Sequence, residues 1–193
     1  MIKMKSEKNI SDDTYKRKSN KISNKILNEI FFYSRVILTA LIITFAVNNY
    51  IAVNAKVPSG SMETTVMPGD RIIINRLAYL NTLPKRGDII SFKFPDNEEK
   101  NYLKRIMALP NETIEGKDGM IYIDGELLEN DFSSIVINDD FGPYTVPENC
   151  YFVMGDNRNN SFNSRYWVNK FVPFDSILGK AEFSYYPVFK MLD

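Results

Sequence analysis

The chain has 193 residues, with 24 Lys plus Arg against 24 Asp plus Glu, one cysteine and no histidine. Without imidazole there is no Ser-His-Asp triad, no Cys-His protease and no His-ligated zinc or haem; with Cys150 alone there is no intramolecular disulfide, all-cysteine zinc site or iron-sulfur cluster. Proton transfer near neutral pH is left to carboxylates, a perturbed lysine or tyrosine, or a cofactor, and the 44% of hydrophobic residues is enough to fill a core.

Residues 1–29 are polar, rich in lysine and too poor in large apolar groups to fold alone, so they read as a disordered basic tail. Residues 1–35 hold nine basic and four acidic side chains, which leaves fifteen against twenty in the other 158. The basic cluster stands directly ahead of an apolar run and is no nucleic-acid footprint. That run, residues 30–53, contains one charge, Arg35. About 20 residues of helix cross the hydrocarbon core, so it reads as a single transmembrane helix, and the basic excess before it predicts a cytoplasmic amino terminus with residues 54–193 outside. A cleavable secretory signal is the rival reading, with small residues in Val53-Asn54-Ala55 at the positions a cleavage site needs; the long preceding tail speaks against it. A buried core helix would show polar residues every turn, and residues 36–47 offer only threonines.

Residues 54–193 alternate short β-type runs with turn residues, which makes the class mainly β. Candidate strands are residues 71–76, 88–94, 102–109, 120–123, 151–155 and 177–186. Asp124-Gly125 marks a hairpin, and Pro68-Gly69-Asp70 and Arg86-Gly87-Asp88 mark further turns.

Directly after the span, Pro58-Ser59-Gly60-Ser61-Met62 is a small-residue loop able to expose a serine beside backbone N–H groups. Such loops also occur as plain linkers. A serine nucleophile needs a base, and lysine is the remaining good candidate. In residues 101–109, strand alternation puts Lys104 on one face with Tyr102, Ile106 and Ala108, and puts Leu103, Arg105 and Met107 on the other. A lysine of ordinary pKa is only about 0.4% neutral at pH 8, but burial lowers that pKa by up to about 3 to 5 units. The plain alternative is a lysine snorkelling from a strand edge. Residues 154–167 are dense in Asp, Asn, Ser and Arg after an apolar strand, which suits either a solvated loop or a network that orients a catalytic group.

In this order, behind one amino-terminal span, these segments resemble the bacterial type I signal peptidases, membrane-bound serine proteases with a Ser-Lys dyad. Pro58-Ser59-Gly60-Ser61-Met62 resembles the nucleophile box, Pro68-Gly69-Asp70-Arg71-Ile72 the next, Tyr102-Leu103-Lys104-Arg105 the lysine box, and residues 155–165 the Gly-Asp-Asn-Arg box. The resemblance implies a signal-peptidase-like β-fold catalytic domain over residues 54–193. It makes Ser61 the nucleophile and Lys104 the general base. Ser59 becomes an oxyanion-hole donor beside the Ser61 amide, Ser161 orients the lysine, and Asp156, Arg158 and Arg165 give structural support. No metal or other cofactor is expected, and the implied partners are signal-peptide-bearing precursors and membrane lipid. Three positions depart from the pattern: Thr64 replaces a proline, Asn111 a glycine and Asn163 an aspartate. An amide at 163 cannot form a charge-assisted pair with Arg165. Competing readings are a self-cleaving repressor, which would carry a DNA-binding domain where this chain has a span, and a degenerate membrane-anchored β-domain that only binds partners.

Overall fold

The computed structural model describes residue 25, residues 27–130 and residues 132–192. Residues 1–24 and 26 of the expected basic tail lie outside the described residues. The rest divides into two compact units that meet in sequence between Val47 and Asn48.

The first unit holds helix α1, Leu27–Ala46, which is long and apolar enough to cross a membrane. Its apolar side chains, Ile30, Phe31, Ile37, Leu41, Ile42 and Phe45 among them, stand more than half exposed. Its hydroxyls turn back on the helix: Ser34 Oγ donates to the Phe31 carbonyl at 2.9 Å and Thr39 Oγ1 to that of Arg35 at 2.8 Å. Such bonds satisfy the hydroxyls within the helix itself.

The apolar run expected to stay helical to Val53 changes structure earlier. Val47–Ile51 forms a π-helical turn and Ala52–Lys56 is strand β1. Val53 lies opposite Ile74 and Ala55 opposite Ile72 in the ladder with β2, Arg71–Asn75. Hydrophobicity alone does not separate the end of a span from a partly buried strand that follows it.

The other strands are β3 (Ile89–Phe94), β4 (Asn97–Ala108), β5 (Thr113–Lys117), β6 (Met120–Ile123), β7 (Glu126–Leu127), β8 (Phe141–Thr145), β9 (Cys150–Met154), β10 (Val172–Pro173), β11 (Ile177–Tyr186) and β12 (Lys190–Met191). The larger sheet runs β1-β2-β11-β3-β4-β9-β10 with β12 beside β11, and the smaller runs β7-β6-β5-β8. Asp124 and Gly125 both take positive φ, 52° and 84°, as the tight β6–β7 hairpin requires. Asn111 sits at φ 68°, a left-handed position that asparagine tolerates almost as glycine does. The departure there keeps the turn.

Three apolar clusters hold the two sheets. Val57, Met62, Val66, Ile72, Ile74 and Ile89 pack under the loop after β1. Ile90, Phe92, Ile106, Val153 and Trp167 fill the centre of the larger sheet. Met107, Ala108, Ile114, Ile121 and Phe152 join the larger sheet to the smaller. The expected alternation along β4 fails at its end: Ala108 packs with Met107, not on the Lys104 face, because the β4–β9 register shifts between Ile106 and Ala108. A bulge there re-aims the side chain.

Candidate active site

The loop that follows β1 is a closed excursion. Val57 N donates to the Asp70 carbonyl at 2.9 Å and Gly69 N to that of Val57 at 2.8 Å, which pins both ends. Inside it, Thr65 N and Val66 N both donate to the Met62 carbonyl, at 2.9 and 2.8 Å, in a tight turn. Met62 and Val66 are buried in the core, so the turn is anchored on both sides of its tip and presents Ser61, half-buried, on the opposite side. Gly60 has no room for a side chain, since a Cβ there would lie 2.5 Å from Glu63 Oε1.

Strand β4 delivers Lys104 to the same place. Its Nζ lies 2.6 Å from Ser61 Oγ, across 43 positions of sequence. The side chain is 4% exposed, and burial lowers its pKa to about 8, against a smaller upward pull from the Asp156 carboxylate. Desolvation disfavours the charged form, so a sizeable fraction of the amine is neutral near pH 8. The protonated amine donates to the serine oxygen, and the neutral amine can accept the serine proton over the same contact.

Arg105, on the other face of β4, is fully engaged. Its Nε and one terminal nitrogen donate to the two Asp156 oxygens at 2.9 and 2.8 Å, and the other terminal nitrogen donates to the Gly87 carbonyl at 2.6 Å. Both residues are 2% exposed. The fork-to-fork pair ties β4, next to Lys104, to the first turn of the loop that follows β9.

That loop, residues 155–165, closes over the serine from the other side. Asn157 N donates to the Ser61 carbonyl at 3.2 Å, and its Nδ2 donates to the Gly60 carbonyl and to Glu63 Oε2, each at 3.1 Å. Gly155 must be bare, since a Cβ would overlap Ser161 Oγ and the Ser61 carbonyl. The loop returns to β9 through Ser164, whose Oγ accepts from Val153 N at 3.0 Å.

Ser59, Ser61 and Lys104 line one cavity of about 630 Å³ with Ala55, Val57, Ile72, Ile74, Tyr102 and Phe162. Ser59 is exposed at its rim. Ser161 is 6% exposed and its Oγ makes no hydrogen bond among the described residues, to Lys104 or to any other group. Arg158 is fully buried, one of its terminal nitrogens lying 3.9 Å from Met107 Sδ. Arg165, also buried, donates from Nε to Asn163 Oδ1 at 3.2 Å and from one terminal nitrogen to the Arg158 carbonyl. Its charge partner is Asp139, whose Oδ2 lies 3.6 Å from the second terminal nitrogen.

Sequence reasoning missed Asn157 and Asp139. Asn157 stood inside a segment already singled out for its polar density; Asp139 carries no local signal. The loop after β1, residues 155–165 and the lysine strand therefore meet at one cavity, which holds two serine side chains and an amine of lowered pKa.

The family described as signal peptidase, peptidase S26, matches residues 30–186. The chain is 34% identical to a probable signal peptidase I-2 of Synechocystis over 93% of its own length and 82% of the relative's. It is 32% identical to signal peptidase I S of Bacillus subtilis over 90% and 97%. A crystal structure of a signal peptidase I from Enterococcus faecalis V583 is 36% identical, with a TM-score of 0.45, over 51% of this chain and 97% of that one.

Proposed function

Because the chain belongs to the peptidase S26 signal peptidases, we propose that it cleaves signal peptides from secreted precursors with Ser61 as nucleophile and Lys104 as general base. The observation that carries the dyad is the 2.6 Å contact between Lys104 Nζ and Ser61 Oγ, made by an amine 4% exposed. In the neutral state Lys104 takes the Ser61 proton as Oγ attacks the scissile carbonyl carbon. The C–O bond forms, and negative charge develops on the carbonyl oxygen. The Ser61 N–H and the Ser59 hydroxyl are the donors for that oxyanion. As the C–N bond breaks, the Lys104 ammonium returns the proton to the leaving amine and an ester on Ser61 remains. A water gives its proton to the same lysine and attacks the ester carbon; as the Ser61 Oγ–C bond breaks, Lys104 returns the proton to Oγ and the acid product leaves.

The sheet supports the binding mode. β4 pairs with β3 along Asn97 to Arg105, but with β9 only from Arg105 onward. The far edge of residues 101–104, on the cavity, has no strand beside it among the described residues. An extended precursor segment can add there as a strand, with every second side chain turned into the cavity. That period suits small residues at the first and third positions before the cut.

Helix α1, Leu27–Ala46, supplies the membrane anchor, with the residues before it cytoplasmic and residues 54–193 extracytoplasmic. Enzyme and precursor held in one bilayer meet at raised effective concentration, and cleavage falls near its outer surface. The binding-only alternative is not favoured, because the relatives are named as peptidases.

A serine-directed acylating probe and a signal-bearing precursor test the reading together. Wild type takes one label per chain and cleaves, whereas Ser61→Ala does neither. Labelling or cleavage that survives in Ser61→Ala removes Ser61 as nucleophile.

A further inference from the structure

The loop that closes over Ser61 is held by a charge from outside it. Arg165 is its internal clasp, since the guanidinium reaches back to the Arg158 carbonyl and to Asn163 Oδ1. The side chain of Arg165 is 1% exposed, and a buried cation without a counter-charge is costly. Within the loop its partner at position 163 is a neutral amide. That amide is also committed elsewhere, because Asn163 Nδ2 donates to the Ser161 carbonyl at 3.0 Å, a bond that a carboxylate could not make.

The counter-charge comes from the segment leading into β8 of the smaller sheet. Asp139 Oδ2 lies 3.6 Å from Arg165 and accepts a hydrogen bond from Tyr166 Oη, and Arg165 stacks 4.8 Å over the Tyr166 ring. The same segment follows the loop further. Asn138 N donates to Asn159 Oδ1 at 3.1 Å, and Asn159 Nδ2 donates to the Val136 carbonyl at 2.9 Å. Ile137, between them, is buried in the cluster that joins the sheets.

We propose that Asp139 is a positioning residue for the candidate active site: it supplies the counter-charge for Arg165 and so fixes residues 155–165 over Ser61 and Lys104. Asn163 is thereby left free to hold Ser161. This rests on the Ser61 and Lys104 reading above. Asp139 does not line the cavity, so it acts on the site only through the loop.

The experiment uses the full chain in detergent. Amide hydrogen exchange across residues 157–166 is followed in wild type, Asp139→Asn, Asp139→Glu, Asn163→Asp and the double variant Asp139→Asn with Asn163→Asp, and kcat and KM are measured on a precursor. Asp139→Asn speeds exchange in this segment and lowers kcat by about fivefold, a loss in keeping with an ion pair between a buried guanidinium and a half-exposed carboxylate. Asp139→Glu retains most of both properties. The double variant, with a carboxylate where Asn163 Oδ1 now meets Arg165 Nε, recovers slow exchange and most of kcat relative to Asp139→Asn. Unchanged exchange in Asp139→Asn overturns the proposal, as does a loss that neither Asp139→Glu nor the second carboxylate repairs. A wild type without turnover would remove the catalytic reading instead, and the exchange result would still decide whether Asp139 holds the loop.

Discussion

Lys104→Met lowers turnover by about 10² to 10⁴-fold, the range spanned by loss of a positioned general base, and at neutral pH it yields a more stable protein than wild type. The two halves of this result have one cause. Lys104 is 4% exposed and its pKa falls from 10.5 to about 8 by burial. The folded state therefore binds this proton less tightly than the unfolded chain. Below about pH 8 both states are protonated and the full burial penalty is present, on the order of 3 kcal/mol. Between about pH 8 and 10.5 the folded state has lost the proton while the unfolded chain still carries it, so the penalty shrinks as pH rises and is gone above the unfolded value. Methionine fills a similar volume without the charge. Its stability advantage is largest below pH 8 and closes toward pH 10.5, as denaturation at several pH values reads out. A snorkelling lysine would give neither the loss of turnover nor the gain in stability.

Asp156→Asn costs about 3 to 5 kcal/mol, the cost of breaking one side of a buried ion pair, and lowers Tm by on the order of 10 °C. The size follows from the surroundings. Arg105 and Asp156 are each 2% exposed and share two hydrogen bonds under 3 Å, so the amide leaves a guanidinium buried without its charge partner. Replacing both residues by apolar groups recovers much of the loss, since the pair itself contributes little net stability. Asp156→Asn also removes the one carboxylate that pulls the Lys104 pKa upward. The surviving activity therefore moves to lower pH, a shift that a merely structural defect does not produce.

Much of the larger sheet was legible because its strands alternate or run apolar between turn residues: β2, β3, β9 and β11, and β6 of the smaller sheet, stand within two residues of their expected bounds. The strands that were missed have physical reasons. β1 was hidden inside an apolar run that begins as helix, and β8 carries Gly142 and Pro143 in its middle, residues that break a strand pattern. β10 and β12 are two residues each, too short for any period. β5 could have been found, since Asp118 and Gly119, at φ 53° and 80°, form the same hairpin signal as Asp124 and Gly125.

At the site, the absence of histidine narrowed the base to very few residue types, and the strand pattern placed Lys104 among apolar neighbours. Asn157 works through a backbone carbonyl of another loop, and Asp139 meets Tyr166 across 27 positions. Neither leaves a mark in its own neighbourhood of sequence. Ser161 shows the converse: family likeness gave it a role toward Lys104, while the structure leaves its buried hydroxyl without a hydrogen bond among the described residues.

Rapid-quench acylation of Ser61, followed from roughly pH 6 to 11 to span both the lowered and the ordinary lysine value, decides whether Lys104 works as a neutral base. The rate should climb with pH as the ammonium loses its proton and level off through a single midpoint of about 8. A rate that ignores pH, or a midpoint at the value of a lysine in water, would contradict it.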